Sequence, residues 1–363
     1  METLLVTGIA GNLGKRLLLN LAGCRVIGVD MRAPQSGLDS LIHFEEMDLG
    51  EERSCNLLVG LLRQYQVDAV IHLAFVIDPL QNGVLELDRM WRINVAGTAR
   101  VLEAIAEVNR MGGDIRKFIF PSSVSAYGPE TPDLVSEDFP LGAHTLPYAI
   151  HKKEADEVVR SRAYSLGACS TYILRPHIFV GASMQNYLVG ALRGTPTGKG
   201  RLAERLRKKG TRLPLMLPRG EQYLKKKFQF VHVDDMARLI AHVVQLKAQK
   251  SRLEIMNVAG RDEPLTLAQC AIIAKAKVIR LPGKWLCKLV LKVLWRFGIS
   301  GIPPESLPYM IGSFTMDTSR LQAFLGSNYR HVIRYTVEEA LADSFLQPES
   351  HPEPVKHLAG VHS

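Results

Sequence analysis

The chain has 363 residues, 47% of them hydrophobic and 22% charged, enough to bury a large core without disulfide or metal staples. Its five cysteines (Cys24, Cys55, Cys169, Cys270 and Cys287) are odd in number and form no Cys-x-x-Cys pair, which argues against a disulfide framework or a zinc site and predicts a reducing, cytoplasmic setting. The formal charge of +9 is uneven: residues 193–227 carry twelve Lys or Arg against two Glu.

The first half alternates short β-branched runs with helical patterns, the signature of parallel βαβ units. Thr3–Thr7 reads as a buried strand, followed by a glycine-rich turn and a helix over Asn12–Ala22. Further strands are expected at Arg25–Val29, His43–Met47, Val67–Ala74 and Lys117–Phe120. Helical patterns run from about Val84 to Val108 and from Tyr148 to about Leu166, the second leading into a strand at Ser170–Leu174. Beyond Arg175-Pro176 the alternation breaks, and the basic stretch reads as a solvated loop. An anionic substrate or an acidic membrane surface is its alternative partner; nucleic acid is not expected, because no recognition motif or aromatic interleaving accompanies the charge. A regular unit returns with a strand at Phe230–Val233, a helix at Asp234–Leu246 and a strand at Leu253–Val258. Helices are expected over Thr266–Lys275, Trp285–Phe297 and Val337–Phe345, and the Pro- and His-rich tail from Gln347 reads as disordered. No leader peptide and no stretch long and apolar enough for a membrane span is read.

Gly8-Ile-Ala-Gly11-Asn12-Leu13-Gly14 places three glycines directly after a strand and at the opening of a helix. Gly8 suits a tight turn, Gly11 lets a pyrophosphate approach the backbone, and Gly14 lets the helix pack on the strand. Asn12 and Leu13 begin the helix whose N–H groups face the phosphate charge. Asp30 ends the second strand, where a carboxylate accepts the ribose hydroxyls of NAD. Arg32 could serve a 2′-phosphate instead, but the carboxylate beside it repels that group, so NAD is expected over NADP. Asp48-Leu49 is placed to reach the adenine edge, and Leu73-Ala74 ends the fourth strand beside the phosphates.

Tyr148-Ala-Ile-His-Lys152 puts a phenol and an ammonium on one helix face. A free tyrosine titrates near about 10, and a neighbouring positive charge favours its phenolate. Ser123, at the carboxyl end of the fifth strand, is placed to polarise a substrate oxygen.

These landmarks, with Asn94-Val-Ala-Gly97-Thr98, Tyr127-Gly128, Arg175-Pro176 and Phe230-Val-His-Val-Asp-Asp-Met-Ala237, resemble the extended short-chain dehydrogenase/reductases, the NAD-dependent epimerase/dehydratase group. The resemblance spans about residues 3–260. It implies Ser123, Tyr148 and Lys152 as the catalytic set, Asn94 as a structural or cofactor-adjacent residue, and a homodimer formed through the helices of Asn94 and Tyr148. Two departures stand out. Nucleotide-sugar epimerases follow the histidine strand with glycine and lysine, where this chain has Phe75-Val76-Ile77-Asp78. They also hold the substrate diphosphate with an arginine, in whose place stands Phe228.

Trp285–Phe297 is strongly apolar with Lys284, Lys288, Lys292 and Arg296 spaced every four residues. It reads as a core-facing helix with a solvated edge; a lid over an apolar pocket and a helix lying in a membrane interface are the alternatives.

The expected protein is therefore an α/β enzyme with a Rossmann-type doubly wound parallel sheet over residues 1–176, completed by about 230–258. Residues 177–229 and 259–346 form a smaller substrate region. It binds NAD and no metal, and transfers a hydride at a carbinol or ketone carbon. A dehydrogenase or reductase of a largely apolar substrate is the first expectation. A nucleotide-sugar epimerase or dehydratase with retained NAD is the second, and a non-catalytic dinucleotide sensor the third.

Overall fold

A computed structural model describes residues 1–34, 42–77, 86–247 and 253–346. Asp78, the start of the helix expected from Val84 and the tail from Gln347 lie outside the described residues.

In chain order the first half runs β1 (Thr3–Thr7), α1 (Asn12–Leu18), β2 (Arg25–Asp30), β3 (His43–Glu46), α2 (Ser54–Gln64) and β4 (Ala69–His72). It continues through α3 (Leu87–Trp91), a π-helical turn at Arg92–Ala96, α4 (Gly97–Arg110), β5 (Lys117–Pro121), α5 (Pro147–Arg162) and β6 (Ser170–Pro176). The second half adds β7 (Ile178–Val180), α6 (Tyr187–Arg193), α7 (Arg201–Lys208), β8 (Leu215–Pro218), β9 (Phe230–His232), α8 (Val233–Gln245) and β10 (Leu253–Val258). After these come α9 (Leu267–Ile273), β11 (Val278–Leu281), α10 (Gly283–Arg296) and α11 (Val337–Asp343).

Seven strands pair in parallel in the order β10-β6-β5-β4-β1-β2-β3. Their Val-, Ile- and Leu-rich runs are covered on both faces, as parallel sheets require. Alternation along β1 sends Leu4 and Val6 into a core with α1 and α8, and Leu5 into a second core with α2, α4 and α5. The strand order reverses between β1 and β4, the point at which open α/β sheets take ligands beyond their carboxyl ends. A third core gathers Phe228, Tyr309, Phe314, Cys287 and Leu291 with residues of the C-terminal segments.

Several boundaries differ from the sequence reading. The helix α1 stops at Leu18 because the Asn20 amide donates to the Arg16 carbonyl (2.9 Å), and the Asn20 N–H turns back to Leu17 instead. The helix expected through Val108 is interrupted at Arg92–Ala96 by a widened turn. Phe230–His232 leaves the main sheet and pairs with β7. Residues 193–227, read as a solvated loop, hold α7 and β8. The apolar period there is weak because α7 buries only Ala203 and carries charge around most of its surface.

Candidate functional site

The glycine turn sits at the switch point. Gly8 donates its N–H to Val29 and adopts φ +73°, and a Cβ there would lie 2.5 Å from the Ala74 nitrogen. A Cβ at Gly14 would meet the Ile9 carbonyl at 2.4 Å, so that glycine serves helix–strand packing. Gly11 is different. Its φ of −69° suits any residue, and an added Cβ would meet only the Gly8 oxygen, at 3.1 Å. A Cβ there would fit with a shift of a few tenths of an ångström in the Gly8 oxygen, so the fold demands glycine far less at Gly11 than at Gly8 or Gly14, and the exposed backbone suits the close approach of a ligand.

The turn opens on a cavity of about 220 Å³ lined by Gly8, Gly11, Asp30, Arg32, Leu49, Leu73, Ala74, Phe75, Val76 and Ile93, among others. Asp30 closes β2 with one carboxylate oxygen accepting the Ala10 N–H at 3.0 Å and the other the Arg32 N–H at 3.4 Å. Burial raises its pKa, and these backbone donors oppose the shift. Asp48 is engaged elsewhere: it accepts from Gly50 (2.7 Å) and Arg89 (3.2 Å) and lines an adjoining cavity of about 290 Å³. Asn12 binds Ser183, donating to its carbonyl at 2.9 Å, which joins the start of α1 to the loop before α6. Leu13 packs, half-buried, against the core of α1 and α8. These residues fit a dinucleotide: a side-chain-free backbone at Gly11, a strand-end acid and an apolar wall lie along one cavity.

A polar chain fixes the end of β4. The Ala74 N–H donates to Thr7 Oγ1 (3.3 Å), and Thr7 to His72 Nδ1 (2.7 Å). His72 Nε2 then donates to Thr98 Oγ1 (2.9 Å), which donates to the Asn94 carbonyl (2.6 Å). The two hydroxyls dictate this tautomer, since Thr98 has given its proton to a carbonyl. Burial holds the His72 pKa down at about 3, so the ring is neutral. Asn94 clasps the Val76 backbone, accepting its N–H at 2.7 Å and donating to its carbonyl at 2.9 Å. Its role in the chain is thus to shape the wall of the cavity.

Ser123, Tyr148 and Lys152 come together beyond β5. Ser123 Oγ accepts from the Ser125 N–H (3.2 Å) and from the Ser125 hydroxyl (2.9 Å), so its own proton is directed outward. The Ser123 hydroxyl favours ionisation of the Tyr148 phenol, but burial is the larger influence and pushes that pKa up to about 12. Lys152 Nζ donates to the Pro121 carbonyl at 2.7 Å and lies 3.6 Å from the centroid of the Phe75 ring. Its pKa falls to about 7 through burial, opposed by Asp156 one helical turn away. The expectation that this ammonium activates the phenol directly is therefore modified. The Pro121 carbonyl draws the lysine, and burial governs the tyrosine. Phe75 bridges the two, meeting the Tyr148 ring edge-on at 5.8 Å. The sequence marks Phe75 only as a departure from the nucleotide-sugar epimerase pattern, and Ser125 carries no local signal beyond standing two residues after Ser123.

Other landmarks resolve as scaffolding. Arg175 forms a two-bond fork with Asp156 (2.9 and 2.8 Å), both fully buried, and donates to the Tyr127 hydroxyl at 2.8 Å. That fork ties β6 to the helix carrying Tyr148 and Lys152. Phe228 is fully buried, with its ring edge-on to Phe314 at 5.6 Å. Among the described residues no group of three His, Cys, Asp or Glu is placed to hold a metal ion, and no helix is long and apolar enough to cross a membrane.

This combination of doubly wound sheet, glycine turn and Ser/Tyr/Lys cluster defines a Rossmann-type protein of the extended short-chain dehydrogenase/reductase class. The chain belongs to the NAD-dependent epimerase/dehydratase family, whose model matches residues 4–259. Its relatives include UDP-glucose 4-epimerase 4 of Oryza sativa subsp. japonica, 31% identical over 202 residues and covering 52% of each chain. The UDP-glucose 4-epimerase of Mus musculus is 30% identical over 199 residues, covering 50% of this chain and 55% of that one. The chain thus spans about half the length of the curated relatives it matches. The fold is shared more widely. The dTDP-glucose 4,6-dehydratase DesIV of Streptomyces venezuelae, solved with NAD and TYD, superposes with a TM-score of 0.65 at 21% identity, over 94% of this chain and 95% of that one. The UDP-glucuronic acid 4-epimerase of Bacillus cereus, solved with UDP-glucuronic acid and NAD, gives 0.63 at 19% identity, over 94% and 98%.

Proposed function

We propose that the protein is an NAD-dependent enzyme that transfers a hydride at a carbinol or ketone carbon. The observation carrying this reading is the Ser125–Ser123–Tyr148 hydroxyl array with Lys152 at its side, next to a cavity whose glycine turn leaves room for a dinucleotide. When bound, the nucleotide supplies the hydride acceptor or donor at its nicotinamide ring. Ser123 donates to the substrate oxygen. Tyr148 takes the hydroxyl proton as the carbinol carbon is oxidised, or returns it on reduction. Lys152 orients the nicotinamide ribose from its anchor on Pro121. Asp30 accepts the adenosine ribose hydroxyls and disfavours a 2′-phosphate by charge. The retained cluster also weighs against a purely non-catalytic sensor.

Two substrate readings stand. Phe228, packed on Phe314 where nucleotide-sugar epimerases hold an arginine, supports a substrate without a diphosphate, and the Phe75 wall supports an apolar one. The relatives' names support a nucleotide-sugar epimerase or dehydratase. Mass spectrometry of nucleotide released on denaturation tests the shared reading: NAD or NADH is expected, and a protein that neither carries nor binds either would contradict it. Conversion of UDP-glucose without net NADH formation would select the second reading. Net NADH formation with an apolar secondary alcohol would select the first.

A further inference from the structure

The helix α10 buries only Cys287 and Leu291. Trp285, Leu289, Val293 and Phe297 follow one another every four residues and stand 68%, 48%, 44% and 67% exposed. Beside that apolar row runs a second exposed row of Lys284, Lys288, Lys292 and Arg296. Of these, Lys284 has one loose ion pair, 3.8 Å from Glu130. The helix turns Cys287 and Leu291 into the core, as the sequence first suggests, but its solvated side carries a whole apolar row besides the expected charges.

The basic segment joins this face. The Gly198 N–H donates to Ile299 (3.0 Å) and the Gly200 N–H to Gly298 (2.9 Å), so the start of α7 is clamped to the end of α10. A Cβ at Gly198 would lie 2.0 Å from the Gly298 oxygen, and one at Gly200 2.9 Å from that of Phe297. This backbone-to-backbone contact sets Arg201 and the exposed Leu202 of α7 beside Phe297. Arg205, Lys208 and Lys209 continue the exposed charge.

We infer that α10 and the adjoining start of α7 form a docking surface for an anionic phospholipid bilayer. An interfacial helix presents aromatic and aliphatic side chains to the acyl boundary with Lys and Arg at the headgroups, and these two rows supply both. Leu289 and Val293 distinguish this partner from nucleic acid: they gain by entering acyl chains and offer a base no stacking face. A second copy of the chain is disfavoured because a two-fold interface centred on this helix brings together two faces that each carry four Lys or Arg.

Co-sedimentation of the full chain with vesicles of 30% phosphatidylserine in phosphatidylcholine, against pure phosphatidylcholine, tests the inference. Binding to the anionic vesicles is expected, weakening as salt rises, with at least about tenfold less binding to neutral ones. The triple substitution Lys288→Ala, Lys292→Ala and Arg296→Ala is expected to weaken binding at least about tenfold. The triple substitution Trp285→Ser, Leu289→Ser and Phe297→Ser should do the same, with unchanged Tm because these side chains lie outside the core. Any of four outcomes would overturn the inference: no vesicle binding by the wild type, equal binding to neutral vesicles, equal binding of a DNA duplex that the serine substitutions leave intact, or self-association abolished by the serine substitutions without vesicle binding.

Discussion

The hydroxyl of Ser125 donates to that of Ser123 across 2.9 Å, and the Ser125 N–H reaches the same oxygen at 3.2 Å. With its acceptor sites occupied, Ser123 is left to donate its proton, to the Tyr148 phenol in this structure and, in the proposed mechanism, to the substrate oxygen. In that mechanism Ser125 is a positioning residue, acting through Ser123. Ser125→Ala is expected to lower kcat about three- to tenfold, the worth of about one hydrogen bond, with NAD affinity within about twofold of wild type. Ser123→Ala should cost roughly 10²–10³ in kcat. Equal losses in the two variants would place Ser125 in direct contact with substrate.

Tyr148 and Lys152 predict a coupled pH behaviour. In nucleotide-free protein an ultraviolet difference titration against Tyr148→Phe should place the Tyr148 ionisation near about 12, and saturating NAD⁺ should lower it by at least about one unit through its positive charge. Lys152 has a folded pKa of about 7 against an ordinary value of 10.5, so the unfolded chain holds the extra proton between those limits. Its contribution to stability therefore rises with pH across that window. Lys152→Met should exceed wild type by roughly 1–3 kcal/mol at pH 7, an advantage that fades toward about pH 10.5. Urea midpoints that show the advantage growing with pH would contradict this assignment.

His72 predicts acid sensitivity. Its neutral ring joins Thr7 to Thr98 and titrates at about 3, below its ordinary 6.5. Between those values the unfolded chain binds the extra proton, so stability is lost as pH falls, at up to about 1.36 kcal/mol per pH unit. His72→Gln should be less stable at pH 7 and should lose less on acidification. Parallel urea midpoints for both proteins from pH 7 to pH 4 would refute the link.

The sheet and glycine turn are legible in the chain because local signals coincide with the global fold: β-branched runs end at Gly8, at Asp30 and before Ser123. The site is legible less completely. Tyr148 and Lys152 share a helix face by spacing, yet the lysine's true anchor is the Pro121 carbonyl on another element, which no local pattern encodes. The turn at Arg92–Ala96 escapes because it serves the long-range clasp of Asn94 on Val76. The helix α7 escapes because its charges leave almost no apolar period. For α10 the periodicity identified the helix, but only its packing revealed which apolar row is left uncovered.

The contrast between Gly11 and Gly14 is what suits this turn to a dinucleotide. At Gly14 a methyl group meets the Ile9 backbone at 2.4 Å, whereas at Gly11 it has a single contact, at 3.1 Å, with the Gly8 oxygen. The direct measurement is calorimetric titration of NAD into wild type and Gly11→Ala, paired with their Tm values and that of Gly14→Ala. Gly11→Ala is expected to keep Tm within about 2 °C of wild type while NAD affinity falls at least about tenfold, and Gly14→Ala to lose stability outright. A Gly11→Ala protein that binds NAD as tightly as wild type would contradict this role for Gly11.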